Sequence, residues 1–188
     1  ANNAFSAQDI NLTSALFKEF INIRATSKLF RLTTAEQVSN RIKFHNVGTE
    51  QRQGLVVMSL DDGLGLADLD SANDAIVVLF NGTSTEQTFS VANASNFELH
   101  QNQKNSADTR VQSASFSNGN FVVPALTTAV FVKPQGEVQG FGLSALPAYG
   151  TNTIYLRGAM NNWDTSLPFI YMGNDKYRLA ADLTQGEY

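Results

Sequence analysis

The apolar positions of this chain change their period near residue 41. Before it, in NLTSALFKEFINIRATSKLF over 11–30, Leu12, Leu16, Phe20 and Ile23 recur at helical spacing, and Phe17 and Ile21 widen the stripe. The spacing predicts a helix, with Asn11 or Thr13 placed to cap its start. The stripe is broad for one helix on a small domain and suits burial against a larger body. A second short helix is predicted over 34–40, because Thr33 and Glu36 stand at capping-box spacing.

From residue 41 the apolar runs become short and rich in Val, Phe, Ile and Thr. IKFHN, GLVVMSL, AIVVLFNG, QTFSVA, NFELH, VQSASF, NFVVPA and TAVFV are separated by turn residues such as Gly63, Gly82, Asn118 and Gly119. About eight short strands with turns between them predict a mainly β fold, an antiparallel β-sandwich preceded by an amphipathic helix. AIVVLF is continuously apolar and reads as a central strand covered on both faces. QTFSV alternates and reads as a strand with one wet face.

Residues 134–150 read as a linker, because glycines and prolines interrupt any period. Beyond it, TNTIYLRG and KYRLAADL read as strands flanking a turn at Trp163, and TQGEY as a turn leading into a third strand. So few strands cannot bury a core of their own. The 151–188 piece therefore reads as a partial second β-sandwich that needs a partner.

Composition narrows the function. Apolar residues make up 43% and charged residues 16%, enough for a packed core and too little charge for a disordered chain. The net charge of −4 is spread without basic runs, which argues against a nucleic-acid partner. No basic amphipathic helix and no long apolar span point to a membrane. With no cysteine, disulfides, thiol nucleophiles and thiolate zinc sites are excluded. The chain starts at ANNAFSAQDI without the charged start and apolar run of a signal peptide.

Candidate chemistry is sparse. The acidic stretch DDGLGLADLDSAND holds Asp61, Asp62, Asp68, Asp70 and Asp74. Hard oxygen clusters can hold calcium, but the spacing is not that of an EF-hand, and a solvated loop with Asx turns is the favoured reading. His45 and His100 sit in or beside separate strands and read as ordinary structural or surface residues. No nucleophile elbow, phosphate-binding loop or dinucleotide fingerprint occurs, so no cofactor and no metal is expected. Adjacent carboxylates on a loop do not make a glycosidase pair, which needs two carboxyls ~5 to 10 Å apart across a cleft.

Two resemblances add to this. SKLFRLTTAEQVSNRIKFHNVGTEQRQGLVVMSLDDG, DAIVVLFNGTSTEQTF and FVVPALTTAVFV, in that order, resemble the C-terminal region of bacterial pullulanase-type α-1,6-glucosidases of glycoside hydrolase family 13. The resemblance covers residues 10 to 133 and implies four parts. Residues 1–40 would be the last helix of a catalytic (β/α)8 barrel and its connection, 41–133 a β-sandwich C-terminal domain, 134–150 a linker and 151–188 a truncated module. The catalytic carboxylates of that family lie upstream on the barrel, so no catalytic residue is carried over. The implied partner is that upstream barrel of a longer, starch-debranching parent chain, secreted or on a bacterial cell surface.

YLRGAMNNWDTSLPFIYMGNDKYRLAADLTQGEY is similar to the first half of a glycogen- or starch-binding module of the early-set type. Trp163 matches that family's first sugar-stacking tryptophan, with Asn161, Asn162 and Asp164 beside it as candidate hydroxyl partners. Met160 departs from the commoner Phe, and the rest of the family's site would fall beyond residue 188. Three roles are thus open: a non-catalytic accessory region, an α-glucan-binding module, or a dimer formed through open sheet edges.

Overall fold

Ser6, rather than Asn11 or Thr13, starts the first helix in the computed structural model, which describes residues 5–49, 51–63, 66–91, 94–136, 153–171 and 177–179. Helix α1 spans Ala7–Thr26. Ser6 Oγ accepts the Asp9 amide at 3.1 Å, and Asp9 Oδ2 accepts the Ser6 amide at 3.1 Å, a reciprocal box that outcompetes caps further along. A 3-10 turn at Lys28–Arg31 follows, then α2 at Ala35–Arg41. The cap of α2 is shifted by one residue from the expected Thr33. Thr34 accepts the Gln37 amide at 3.1 Å, while Gln37 Oε1 accepts the Thr33 amide at 2.9 Å.

The chain divides into two compact units, Ala1–Gly142 and Leu143–Tyr188. In the first, β1 (Ile42–Phe44), β2 (Leu55–Asp61), β3 (Asn73–Asn81), β8 (Thr127–Pro134) and β5 (Glu98–Leu99) form an antiparallel sheet in that order. A second sheet has the order β4 (Gln87–Ser90), β7 (Asn120–Val123), β6 (Ser115–Ser117). The expected strand VQSASF is half turn. Asp108 Oδ1 accepts the Arg110 amide, Ser113 Oγ donates to Arg110 O, and a 3-10 turn takes Val111–Ser113 before β6 begins.

The central strand reads as its apolar run requires. Ala75, Ile76, Val77 and Leu79 are wholly enclosed, because β3 lies between β2 and β8 and both its faces are covered. On one face Leu60, Ile76, Val78 and Val130 pack against Ile23 and Leu29 of the helical segment. On the other, Phe131 of β8 meets Phe121 of β7 edge-on, with ring centres 5.2 Å apart. Phe121 in turn touches Phe97 and Phe116 at 5.1 and 4.6 Å. The unit is thus helices, a five-stranded sheet and a three-stranded sheet in layers, with an aromatic core between the sheets. Strand β4 has the half-wet pattern its alternation predicts.

The short helix α3 at Gln101–Lys104 ties one edge together. Gln103 is buried, and its amide donates to Thr128 O at 2.8 Å and accepts from Val130 N at 2.7 Å. In the second unit, Leu156 N donates to Leu167 O and Phe169 N to Ile154 O, and Tyr155 bridges Pro168. Strands β9 (Ile170–Tyr171) and β10 (Tyr177–Arg178) pair antiparallel. Over its described residues, 153–158, the expected strand TNTIYLRG is reduced to that single bridge. Of the expected linker over 134–150, Pro134 ends β8; 137–150, TQGEY and all of KYRLAADL but 177–179 lie outside the described residues.

Candidate functional site

The turn at Trp163 is built by its neighbours' main chain. Trp163 N donates to Gly158 O at 2.9 Å, and Asp164 N to Asn161 O at 3.0 Å. Arg157 Nε donates to Trp163 O at 2.5 Å. Asn162 and Trp163 both take left-handed backbone, with φ of 50° and 60°. A bulky residue adopts that region only where its surroundings hold it. The indole is 63% exposed.

Asn161 serves the turn from within. Its Oδ1 accepts the Gly158 amide at 2.9 Å, and its Nδ2 donates to Leu156 O at 2.9 Å and Asp164 O at 3.3 Å. Asn162 is exposed beside the indole. Asp164 Oδ1 accepts from the Ser166 hydroxyl and amide, which hold the exposed carboxyl below its usual range. The four sequence-predicted residues, Asn161, Asn162, Trp163 and Asp164, are therefore together on one turn. Arg157, which fixes the Trp163 carbonyl, was not among them; an arginine six residues from a lone tryptophan carries no pattern of its own.

The acidic stretch is not the solvated loop expected of it. Asp61, Asp62, Asp70 and Asp74 are buried, and of the five only Asp68 is exposed. The Asx turns are there: Asp61 Oδ1 accepts the Gly63 amide at 2.9 Å and Asp70 Oδ1 the Ala72 amide at 3.0 Å. The burial follows from partners the sequence separates widely. Arg41, itself buried, pairs with Asp62, and Asp62 Oδ2 also accepts the amides of Leu69 and Asp70 at 2.9 and 2.7 Å. Lys133 lies across Ala75 from Asp61 in the strand register and is 1% exposed. Burial pushes its ammonium below the usual range, against the pull of Asp74 and Asp61. Burial likewise pushes the Asp74 carboxyl up, against the Gly136 amide and Lys133. Among the described residues, no three acidic or histidine side chains group as metal ligands.

The two histidines stand apart from each other. His45 Nε2 lies 2.7 Å from Ser59 Oγ, and burial, with Lys43 adding, lowers its pKa to about 4. His100 Nδ1 accepts the Asn102 amide at 3.2 Å, which leaves the proton on Nε2, 3.2 Å from Thr26 Oγ1. His100 thus caps α3 and latches the end of α1 with one neutral ring.

Several large apolar side chains are exposed among the described residues. The strand register places Phe44 beside Met58, and Val56 beside Phe80, on the sheet face that the helical segment covers only in part. Phe44, Val56 and Phe80 are 55%, 46% and 41% exposed. On the same side of the sheet α1 turns Phe17 and Ile21 outward, at 68% and 51%.

Comparison with known proteins decides what this unit is. Residues 1–134 match the family of alpha-1,6-glucosidases, pullulanase-type, C-terminal. The chain belongs to the pullulanase C-terminal family. A pullulanase from Klebsiella pneumoniae is 35% identical over 140 residues, 72% of this chain and 13% of that protein. Pullulanase 1, chloroplastic, from Arabidopsis thaliana is 37% identical over 125 residues, 62% of this chain and 13% of the relative. A crystal structure of the maltotriose complex of PulA from Klebsiella pneumoniae superposes with a TM-score of 0.66 at 32% identity, over 73% of this chain and 15% of that one. The chain therefore spans about one seventh of the pullulanases it matches. In those relatives the pullulanase C-terminal unit is part of a far longer chain.

Proposed function

We propose that this pullulanase C-terminal unit is a non-catalytic accessory region that covers and stabilises the catalytic barrel of a starch-debranching parent and links it to a carbohydrate-binding module. The parts would be the last barrel helix and connection over 1–40, the sandwich over 41–133, a linker over 134–150 and the module over 151–188. The parent would cleave α-1,6 bonds in α-glucans, as pullulanases do.

One observation carries the accessory role: large apolar side chains left exposed, Phe17 and Ile21 on α1 and Phe44, Val56 and Phe80 on the sheet. Burying such a side chain contributes about 1.5–3 kcal/mol, whereas changing one that stays wet shifts stability by no more than about 0.5 kcal/mol. The test follows from that difference. Phe17→Ser with Phe80→Ser should leave the melting temperature of this chain nearly unchanged. In the full parent enzyme the same pair should lower the temperature at which activity is lost by several degrees. Equal effects in both would overturn the role. This chain alone should release no reducing ends from pullulan; robust hydrolysis would refute it as well.

The exposure of Trp163 favours a second reading, glucan contact by the 151–188 unit. An indole face can stack on a glucose ring while Asn162 and Asp164 meet its hydroxyls. Affinity electrophoresis in glycogen or pullulan gels tests it on this chain. Retardation should be present and should disappear in Trp163→Ala; equal mobility of the two proteins with and without glucan ends the reading.

A further inference from the structure

The chain contains two Asn-Gly pairs, Asn81–Gly82 and Asn118–Gly119, and the fold treats them oppositely. Glycine leaves the following amide nitrogen unshielded by any side chain, so Asn-Gly is the pair most open to attack by that nitrogen on the asparagine side chain. What the fold does with the nitrogen and with the amide then decides the outcome.

At the first pair both reactants are held. Asn81 is 3% exposed. Its Nδ2 donates to Thr85 O at 2.8 Å and Pro124 O at 2.9 Å, and its Oδ1 accepts from the Thr83 hydroxyl at 2.7 Å and the Thr83 amide at 2.9 Å. The attacking group is held too, since Gly82 N donates to Gly54 O at 2.8 Å. Reaction would require breaking these bonds in a buried corner of the sheet.

At the second pair neither the side-chain amide nor the attacking nitrogen has a partner among the described residues, although Gly119 is buried and its carbonyl accepts from Val91 N. Asn118 and Gly119 are the two loop residues of the β6–β7 hairpin, between the partners Ser117 and Asn120. Both take left-handed backbone, with φ of 47° and 78°. Asn118 is exposed, and its side-chain amide bonds to none of the described residues. The Gly119 amide likewise donates to no described acceptor. Strand β6 is three residues long and forms the edge of its sheet, so this end opens at small cost.

We propose that Asn118 is a site of spontaneous deamidation and that Asn81 is protected from it. Gly119 N attacks Asn118 Cγ, an N–Cγ bond forms, the Cγ–Nδ2 bond breaks, and ammonia leaves with the proton from Gly119 N. Water then opens the cyclic imide at one of its two carbonyls and gives aspartate or isoaspartate. Isoaspartate lengthens the main chain by one carbon in a two-residue turn. That turn has little slack, since Val91 N donates to Gly119 O at 2.8 Å and a Cβ on Gly119 would meet Val91 O at 2.6 Å.

The test is peptide mapping by mass spectrometry after timed incubation of the whole chain in mildly alkaline buffer, folded and in denaturant. Trypsin, which spares the Lys133–Pro134 bond, puts the two pairs on separate peptides, 53–104 and 111–157. In the folded chain the one-dalton gain at Asn118 should be at least about tenfold faster than at Asn81, a ratio set by local opening. In denaturant the two rates should converge. Asn118→Gln should abolish the gain in the 111–157 peptide. Equal rates in the folded chain, faster reaction at Asn81, or a gain that persists in Asn118→Gln through Asn120 would each overturn the proposal.

Discussion

Arg41 is the residue on which the buried loop depends. Its guanidinium pairs with Asp62 and donates to Asp61 O at 3.1 Å, joining the end of α2 to the end of β2. Removing one partner of a buried pair leaves a charge in low dielectric and costs about 3–5 kcal/mol. Arg41→Leu should therefore lower the denaturant midpoint of this chain strongly. Asp62→Asn with Arg41→Leu should recover part of the loss, because the double change leaves no orphan charge. A single variant as stable as the parent chain would refute the coupling. The aspartates were visible in the sequence, but the sign of their environment was not. A run of carboxylates reads as solvated until the cations that enclose it, Arg41 and Lys133, are brought in from elsewhere on the chain. Trp163 was legible for the opposite reason: its turn is local, and every bond that shapes it lies between residues 156 and 166.

The elements were largely legible, because each follows from a period. All eight expected runs over 41–133 contain a strand, and the most apolar run is the central one. Misplaced details sit where side chains compete with the ladder, as at the Ser6 cap and the Val111–Ser113 turn. Long-range ties between elements are harder to see, and the histidines carry two of them. His100 holds α1 through Thr26 and caps α3; His45 holds β1 to β2 through Ser59. The groups facing them are Lys104 and Lys43, both cationic. Each ring titrates lower in the fold than its ordinary 6.5, so the unfolded chain binds the extra proton. Their contribution is complete above the unfolded value and is lost as pH falls, for His45 between about 6.5 and 4. Asp74 slopes the other way, since its carboxyl is raised above 3.8. Unfolding midpoints taken from neutral pH down to about pH 4.5 should therefore fall less in His45→Gln than in the unaltered chain. Superimposable pH profiles would show that His45 is not linked to stability.

At the scale of the molecule the chain is a pullulanase C-terminal unit followed by a second unit with its own turn architecture. The breadth of the α1 stripe was the one sequence signal that this unit leaves part of itself uncovered. The sheet's share of that side, Phe44, Val56 and Phe80, was hidden inside runs that read as ordinary strands, because register alone shows which ends stay bare. The division into two units has an optical consequence. The single tryptophan and all five tyrosines fall at residue 149 or later, while twelve of the thirteen phenylalanines fall at 141 or earlier. Tyrosine and tryptophan absorbance and fluorescence of this chain therefore originate in residues 143–188, and the sandwich contributes only weak phenylalanine bands. A fluorescence melt would follow Trp163 and its turn; the aromatic core around Phe121 can be watched only through backbone dichroism or the weak phenylalanine bands.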